Sequence, residues 1–387
     1  MTISFIITTY NILPYIGHCL DSVAAVARAG DEVILVDDGS NDGTVEHVQA
    51  FAAQNPFAEG VTFKPIYLGT NTMGGVGIGA NIGLNAASCD TVFFVDGDDW
   101  VDIQGFNKAR AHWTLHPSDI LFTNYLEFDQ SKQATKKPAD FQKWSGLDRK
   151  TPLDTLRAQA LTFIAVPWRK FYRRDFLEAH KLRFPEGDFF FEDNPFHWAV
   201  CMKAETIGFL NTIICYHRIN RPGQTMASTG IELTAFFTHF DTILNNLPDA
   251  DDRNLLSAAR WLLSNMSWHV GRLSRQAYYS YGTAASKALQ SIPDALWQND
   301  LAATEAMKSI WPIANRLRSG DINGQIDAWQ RQAIDNRLGS MNSHLQRLQT
   351  NQGRLQRQVL GQIAADSFES IQRRRRVAMP LPPDPSE

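Results

Sequence analysis

Thr91-Val92-Phe93-Phe94-Val95-Asp96-Gly97-Asp98-Asp99-Trp100 changes character at one point. It is apolar and β-prone through Val95, then presents three acids within four residues. A short apolar run closed by polar residues reads as a buried strand ending in a loop. Three similar runs precede it, at Ile3 to Thr8, Glu32 to Val36 and Thr62 to Leu68. Apolar residues at helical spacing separate them: Ile16, Leu20, Val23 and Ala27, then Val45, Val48 and Ala52, then Ile78, Ile82 and Ala86. Strands alternating with helices imply an α/β fold, a mostly parallel sheet flanked by helices.

In such a sheet ligands bind at the carboxyl ends of the strands. The loops there are Thr8-Thr9-Tyr10-Asn11, then Asp37-Asp38-Gly39-Ser40-Asn41-Asp42-Gly43-Thr44, then Asp96 to Asp99. Crowded carboxylates repel unless solvated or neutralised by a cation. Hard oxygen donors suit Mn2+ or Mg2+, which also bind diphosphate oxygens. The plain alternative for Asp37 to Thr44 is a turn and helix cap. For Asp96 to Asp99 turn chemistry alone is a weaker explanation.

The spacing of these motifs resembles family 2 glycosyltransferases of the GT-A fold, Rossmann-like and inverting, of the bacterial surface-polysaccharide type. The resemblance rests on Thr9-Tyr10-Asn11, Cys19 to Val23, Asp37 to Thr44, Asp96-Gly97-Asp98 with Asp99-Trp100, and Val166 to Arg173. Phe191-Glu192-Asp193, and Tyr216-His217-Arg218 followed by Asn220 to Gln224 as a closing loop, complete it. It covers residues 2 to about 228. It implies Tyr10 and Asp38 near a nucleobase, Asp96 near ribose or diphosphate, and Asp98 on the metal. Asp193 is then the general base, with Glu192 second. Thr9, Asn11, Asp37 and Asn81 fall in the same donor-binding set. The residues themselves add His217 as a metal ligand beside Asp98 and Asp96, and Arg218 and Arg221 as phosphate contacts, against packed or solvent-facing roles. The chain departs from the family in having Thr8 where proline is common. It also lacks the arginine many members carry before Asn81, which removes one expected phosphate contact.

The implied function is inverting sugar transfer from a nucleoside-diphosphate donor, UDP-linked by default, to a hydroxyl of a surface glycan or teichoic-acid-like polymer. One competing reading is a degenerate sugar-nucleotide-binding scaffold that assembles through its helical tail. Another is a dinucleotide-dependent oxidoreductase, because Gly75 to Ala80 fits Gly-x-Gly-x-x-Ala with Asp96 about 20 residues on. That fingerprint needs a strand running straight into its glycines, and here a polar loop intervenes.

Four segments are expected: a catalytic domain over 1–230, with a nucleotide half (1–100) and an acceptor half (101–230); a helical module (231–330); a helix or coiled coil (331–372); and a basic then Pro-rich disordered tail (373–387). Leu338, Met341, Leu345, Leu348, Gln352, Leu355 and Val359 alternate spacings of three and four, the seam of a coiled coil and a route to a homo-oligomer. An amphipathic helix packed on its own domain is the alternative. With 387 residues, 44% apolar and net charge -4, the composition is that of a globular protein and argues against a nucleic-acid partner. The N-terminus lacks a signal-peptide pattern and no run approaches the roughly 20 apolar residues of a membrane span, so a cytoplasmic location is expected. Arg373 to Arg376 offer peripheral contact with the inner face of the membrane. The four cysteines lack metal-type spacing and are expected reduced.

Overall fold

The computed structural model describes residues 1–144, 147, 151–221, 229–247, 252–302 and 305–377. Pro222 to Gln224 of the expected closing loop, the Arg376 side chain and the Pro-rich stretch 379–387 lie outside the described residues. The first half alternates as its sequence pattern requires: β1 Ile3–Thr9, α1 Leu13–Ala24, β2 Glu32–Asp37, α2 Thr44–Ala53, β3 Thr62–Tyr67, α3 Gly77–Ala86 and β4 Thr91–Asp96. There follow β5 Trp100–Val101, α4 Ile103–Leu115, β6 Ile120–Asp129, β7 Ala134–Lys136, α5 Leu153–Ala160, β8 Lys170–Arg173, α6 Arg174–Ala179, α7 Asp193–Lys203 and β9 Ile207–Ile219.

These strands form one curled sheet in the order β3-β2-β1-β4-β8-β6-β9-β5, with β7 added beside β6. β1 to β4 are parallel, and β6 and β9 are parallel to each other, while β8, β7 and β5 run antiparallel to their neighbours. The chain winds outward from β1 through β3, then crosses back to lay β4 on the other side of β1. That reversal opens a crevice at the carboxyl ends of β1 and β4, where Thr8 pairs with Asp96. One face of the sheet buries Ile7, Leu20, Val48 and Phe106 in a core with α1, α2 and α4. The other buries Ile6, Leu84, Leu156 and Val200 with α3, α5, α6 and α7. All four cysteines are free and buried, as expected of packed thiols.

The sheet extends further than the sequence pattern suggested. Tyr216, His217 and Arg218, expected in a closing loop, are the last residues of β9, with Tyr216 opposite Trp100. Their side chains alternate across the sheet, and large aromatics hide the usual apolar alternation. α5 stops at Ala160, where Leu161 to Phe163 form a turn.

Met1–Ile322 form one compact unit. Its later part is helical: α8 Ala235–Asn246, α9 Asp252–His269, α10 Tyr278–Gln290, the single turn α11 Asp294–Leu296 and α12 Trp311–Arg318. Phe237, Phe240, Leu262, Met266, Tyr281 and Leu289 are buried among these helices. The last element is one 56-residue helix, α13 Ile322–Val377. Leu338, Met341, Leu345, Leu348, Leu355 and Val359 are each more than half exposed along it. No helix among the described residues is long and apolar enough to cross a membrane.

Candidate active site

The crevice is framed by the loops after β1 and β2. Asp37 is fully buried and its carboxylate accepts from Thr9 Oγ1 (2.9 Å), Ser40 N (2.8 Å) and Ser40 Oγ (2.6 Å). Asn11, in the left-handed region at φ 49°, donates its backbone N–H to Ser40 Oγ (2.8 Å) and accepts from Asn41 N (2.8 Å). Thr9, Asn11 and Asp37 are thus the frame of the loop pair. Asp38 faces the other way, its carboxylate accepting from Thr72 N (2.8 Å), Thr72 Oγ1 (2.9 Å) and Asn71 Nδ2 (3.0 Å). Tyr10 stands 46% exposed on the rim. Asp42 closes the turn before α2, accepting from Thr44 N (3.0 Å) and Thr44 Oγ1 (2.6 Å), while Gly43 is the N-cap.

The acids after β4 close the crevice floor. One oxygen from each of Asp96, Asp98 and Asp99 lies within 4.8 Å of the others, a set that can hold a divalent metal ion. Gly97 between them is obligatory: a Cβ there would lie 2.6 Å from Ile12 Cδ1 and 2.9 Å from Thr8 O. Burial, then the charges of Asp99 and Asp98, push the Asp96 carboxyl well above its usual range. A cation would relieve that crowding, so the donor set fits a metal.

β9 brings the positive counterpart. Asp99 accepts from Arg218 N (2.7 Å) and from His217 Nδ1 (2.9 Å). Burial opposes a charged imidazole, but the Asp99 charge and hydrogen bond prevail and raise His217 to about 9. The ring stacks on Trp168 with centroids 4.9 Å apart. Arg218 is buried in an aromatic cage, its guanidinium 4.7 Å from the Tyr15 centroid and 4.9 Å from that of Trp100, and its Nε donates to the Asp98 carbonyl (2.8 Å). Arg221 makes a short ion pair with the Asp98 carboxylate. The structure therefore brings Asp96, Asp98, His217, Arg218 and Arg221 to one place, although β9 is more than a hundred residues away in sequence.

Residues 4–181 match the family described as Glycosyl transferase family 2. The chain carries a family 2 glycosyltransferase domain. It is 28% identical over 219 residues to the uncharacterized glycosyltransferase EpsJ of Bacillus subtilis, covering 56% of this chain and 61% of that protein. It is also 28% identical over 253 residues to the poly(ribitol-phosphate) β-N-acetylglucosaminyltransferase TarS of Staphylococcus aureus, covering 65% of this chain and 41% of TarS. The crystal structure of S. aureus TarS 1-349 in complex with UDP-GlcNAc superposes with a TM-score of 0.68 at 22% identity, over 86% of this chain and 92% of that one. The last likeness shows a shared GT-A-type fold. The chain spans less than two thirds of the length of these two curated relatives.

Beyond the matched stretch, the two acids at the start of α7 differ sharply. Glu192 is 3% exposed and its Oε1 accepts from Gly77 N at the start of α3 (2.5 Å). Burial, partly offset by backbone hydrogen bonds, lifts its carboxyl to about 7. A Cβ on Gly75 would lie 2.5 Å from Glu192 Oε1, so the glycine run exists to admit this carboxylate. β3 ends at Tyr67, well short of those glycines, so the dinucleotide fingerprint is not formed. Asp193 is raised by burial and lowered by the charge of Lys170 and by hydrogen bonds from Asn194. Its own charge adds to the upward shift of Asp96, less than those of Asp99 and Asp98.

One expected site residue stands elsewhere, and one buried cation was not expected. Asn81 spends its amide on a clasp, donating to Phe184 O (2.9 Å) and Glu186 Oε1 (2.8 Å) and accepting from Phe184 N (2.9 Å). Lys170 was not anticipated: it is fully buried, donates to Ala165 O (2.8 Å), and meets His197 Nδ1 at 3.0 Å. Burial lowers it to about 7. The available signal was the Arg169-Lys170 pair set between Trp168 and Phe171-Tyr172, aromatic neighbours among which burying charge is costly.

Proposed function

We propose that the chain transfers a sugar, with inversion, from a UDP-linked donor to a hydroxyl of a glycan or polymer acceptor in cell-surface polysaccharide or glycoconjugate synthesis. What carries the reading is the Asp96, Asp98, Asp99 set at the carboxyl end of β4, together with the family 2 glycosyltransferase match over residues 4–181. The UDP-GlcNAc complex of TarS supports the choice of donor class. Tyr10 and Asp38 would meet the nucleobase. Asp98 and Asp96 would hold Mn2+ or Mg2+, and His217, whose Nδ1 is committed to Asp99, would join through Nε2 only on giving up the proton that nitrogen carries without a metal. The bound metal supplies Lewis-acid stabilisation of the charge that develops on the leaving diphosphate.

Asp193 takes the proton of the acceptor hydroxyl as its oxygen bonds to the anomeric carbon and the bond to the diphosphate breaks. UDP leaves on the opposite side, and a single displacement inverts the centre. Arg221, paired here with Asp98, is the cation placed to turn toward donor phosphate, while caged Arg218 holds the Asp98 backbone. Glu192 anchors the glycine run rather than serving as the base, because its carboxylate is committed to Gly77. Asn81 acts as a clasp rather than a donor contact. A nucleotide-sugar donor puts the reaction in the cytoplasm. The basic end of α13 adds weak attraction to an anionic inner leaflet, about 1 kcal/mol per cation near the surface. The exposed α13 seam assembles copies of the chain.

A thermal-shift screen of UDP-glucose, UDP-GlcNAc and other nucleotide sugars, with and without Mn2+, tests the donor. Metal-dependent hydrolysis of the stabilising donor is expected, and Asp98→Ala should abolish it. A wild type that hydrolyses no donor with any metal would be a scaffold.

A further inference from the structure

The helices after residue 230 reach into the site. α8 and α9 pack on the segment 189–198, which carries Glu192 and Asp193 into α7. His239 donates from Nε2 to Phe190 O (2.7 Å); burial holds the ring neutral by lowering it to about 4, so the proton that remains sits on that nitrogen. Phe236 packs on Phe191 with centroids 4.8 Å apart. Phe191 itself stands at φ 67°. A bulky residue there costs about 1–3 kcal/mol and persists only where its surroundings hold it. The strain falls on the residue immediately before the acid pair.

The decisive contact is one residue further on. Trp261 of α9 donates from Nε1 to Asn194 Oδ1 (3.3 Å). An indole is a donor only, so it fixes which way the amide lies: oxygen toward α9, nitrogen away. The nitrogen then donates to Asp193 Oδ1 (3.0 Å) and to Phe191 O (3.0 Å). One amide thereby joins the helical part of the molecule, the strained turn and the carboxylate.

We propose that Trp261 and Asn194 are positioning residues for the base: the indole sets the amide, and the amide holds the Asp193 carboxylate so that proton transfer falls to its other oxygen. This rests on Asp193 being the base. It gives the helices after residue 230 a part in catalysis in addition to support.

Loss of the indole donor frees the amide to flip and present its oxygen to the carboxylate. Other groups that act on Asp193 stay in place: Lys170 and Tyr172 of β8, Asp96 of β4 and neighbouring Glu192. A changed pH profile would then report the amide.

The test compares Trp261→Phe with Trp268→Phe, a control on the same helix, 38% exposed. The assay is Mn2+-dependent hydrolysis of UDP-GlcNAc or UDP-glucose, whichever the wild type turns over. Trp261→Phe is expected to lower kcat roughly tenfold, the loss of about one hydrogen bond, with donor KM unchanged and the acidic limb of the kcat profile moved to higher pH. Trp268→Phe should match the wild type. Should Trp261→Phe fail to fold, Asn194→Ser carries the same two outcomes. If Asp193→Asn is inactive while Trp261→Phe keeps wild-type kcat and pH profile, the positioning role is overturned and the base stands. If Asp193→Asn keeps full turnover, the base reading fails and takes this one with it.

Discussion

His217 donates from Nδ1 to Asp99 Oδ2 across 2.9 Å while its ring lies on Trp168, so two charged groups 118 residues apart in sequence are fixed as one unit. A carboxylate that orients a histidine in this way sets which ring nitrogen remains for a metal. Asp99→Asn should therefore raise the Mn2+ concentration for half-maximal donor hydrolysis by about 10- to 100-fold, with activity recovered at high Mn2+. Activity absent at every Mn2+ concentration would make Asp99 an indispensable ligand itself.

Removing the proposed base separates chemistry from binding. Asp193→Asn preserves size and the α7 start but cannot accept a proton. It should lower kcat by about 10²- to 10⁴-fold while the donor still raises the melting temperature as in the wild type. A matched loss of donor-induced stabilisation would assign Asp193 to donor binding instead.

The strands β1 to β4 were legible because each is an apolar run closed by polar turn residues. β8 and β9 were not: β8 is four residues long and opens on buried Lys170, and β9 carries its functional residues among half-buried aromatics. The acids Asp96 and Asp98 announced themselves because carboxylates cluster at a strand end only for a reason. Their partners did not, because the Asp99 to His217 hydrogen bond spans 118 residues and leaves no local spacing. The same holds for Trp261 and Asn194, 67 residues apart, which is why the helices after residue 230 read as plain support.

Glu192 makes a pH prediction. Its carboxyl titrates near 7 in the folded chain, above its ordinary value of 4.5, chiefly through burial. The folded state therefore holds this proton more tightly than the unfolded state. The associated stability is present in full below about pH 4.5 and is lost as pH rises through 7, a difference on the order of 3 kcal/mol. Glu192→Gln removes the titration. Its melting temperature should fall less than that of the wild type between pH 5 and pH 8, by calorimetry in matched buffers. Parallel falls in the two proteins would show that Glu192 does not titrate in this window.

α13 leaves Leu338, Met341, Leu345, Leu348, Leu355 and Val359 more than half exposed at coiled-coil spacing, with Gln352 at one seam position. A helix buries such a stripe by pairing with another, and a polar seam residue fixes register at some cost in stability. Gly339, Gly353 and Gly361 have open space where a Cβ would stand. Alanine at each should stabilise the helix by roughly 1 kcal/mol. Full-length protein should show an oligomeric mass in light scattering, and Leu345→Lys with Leu348→Lys should reduce it to the monomer without changing turnover per site. Retention of the oligomer by that double variant would move the interface elsewhere, and a monomeric wild type would leave the seam without a partner in its own kind.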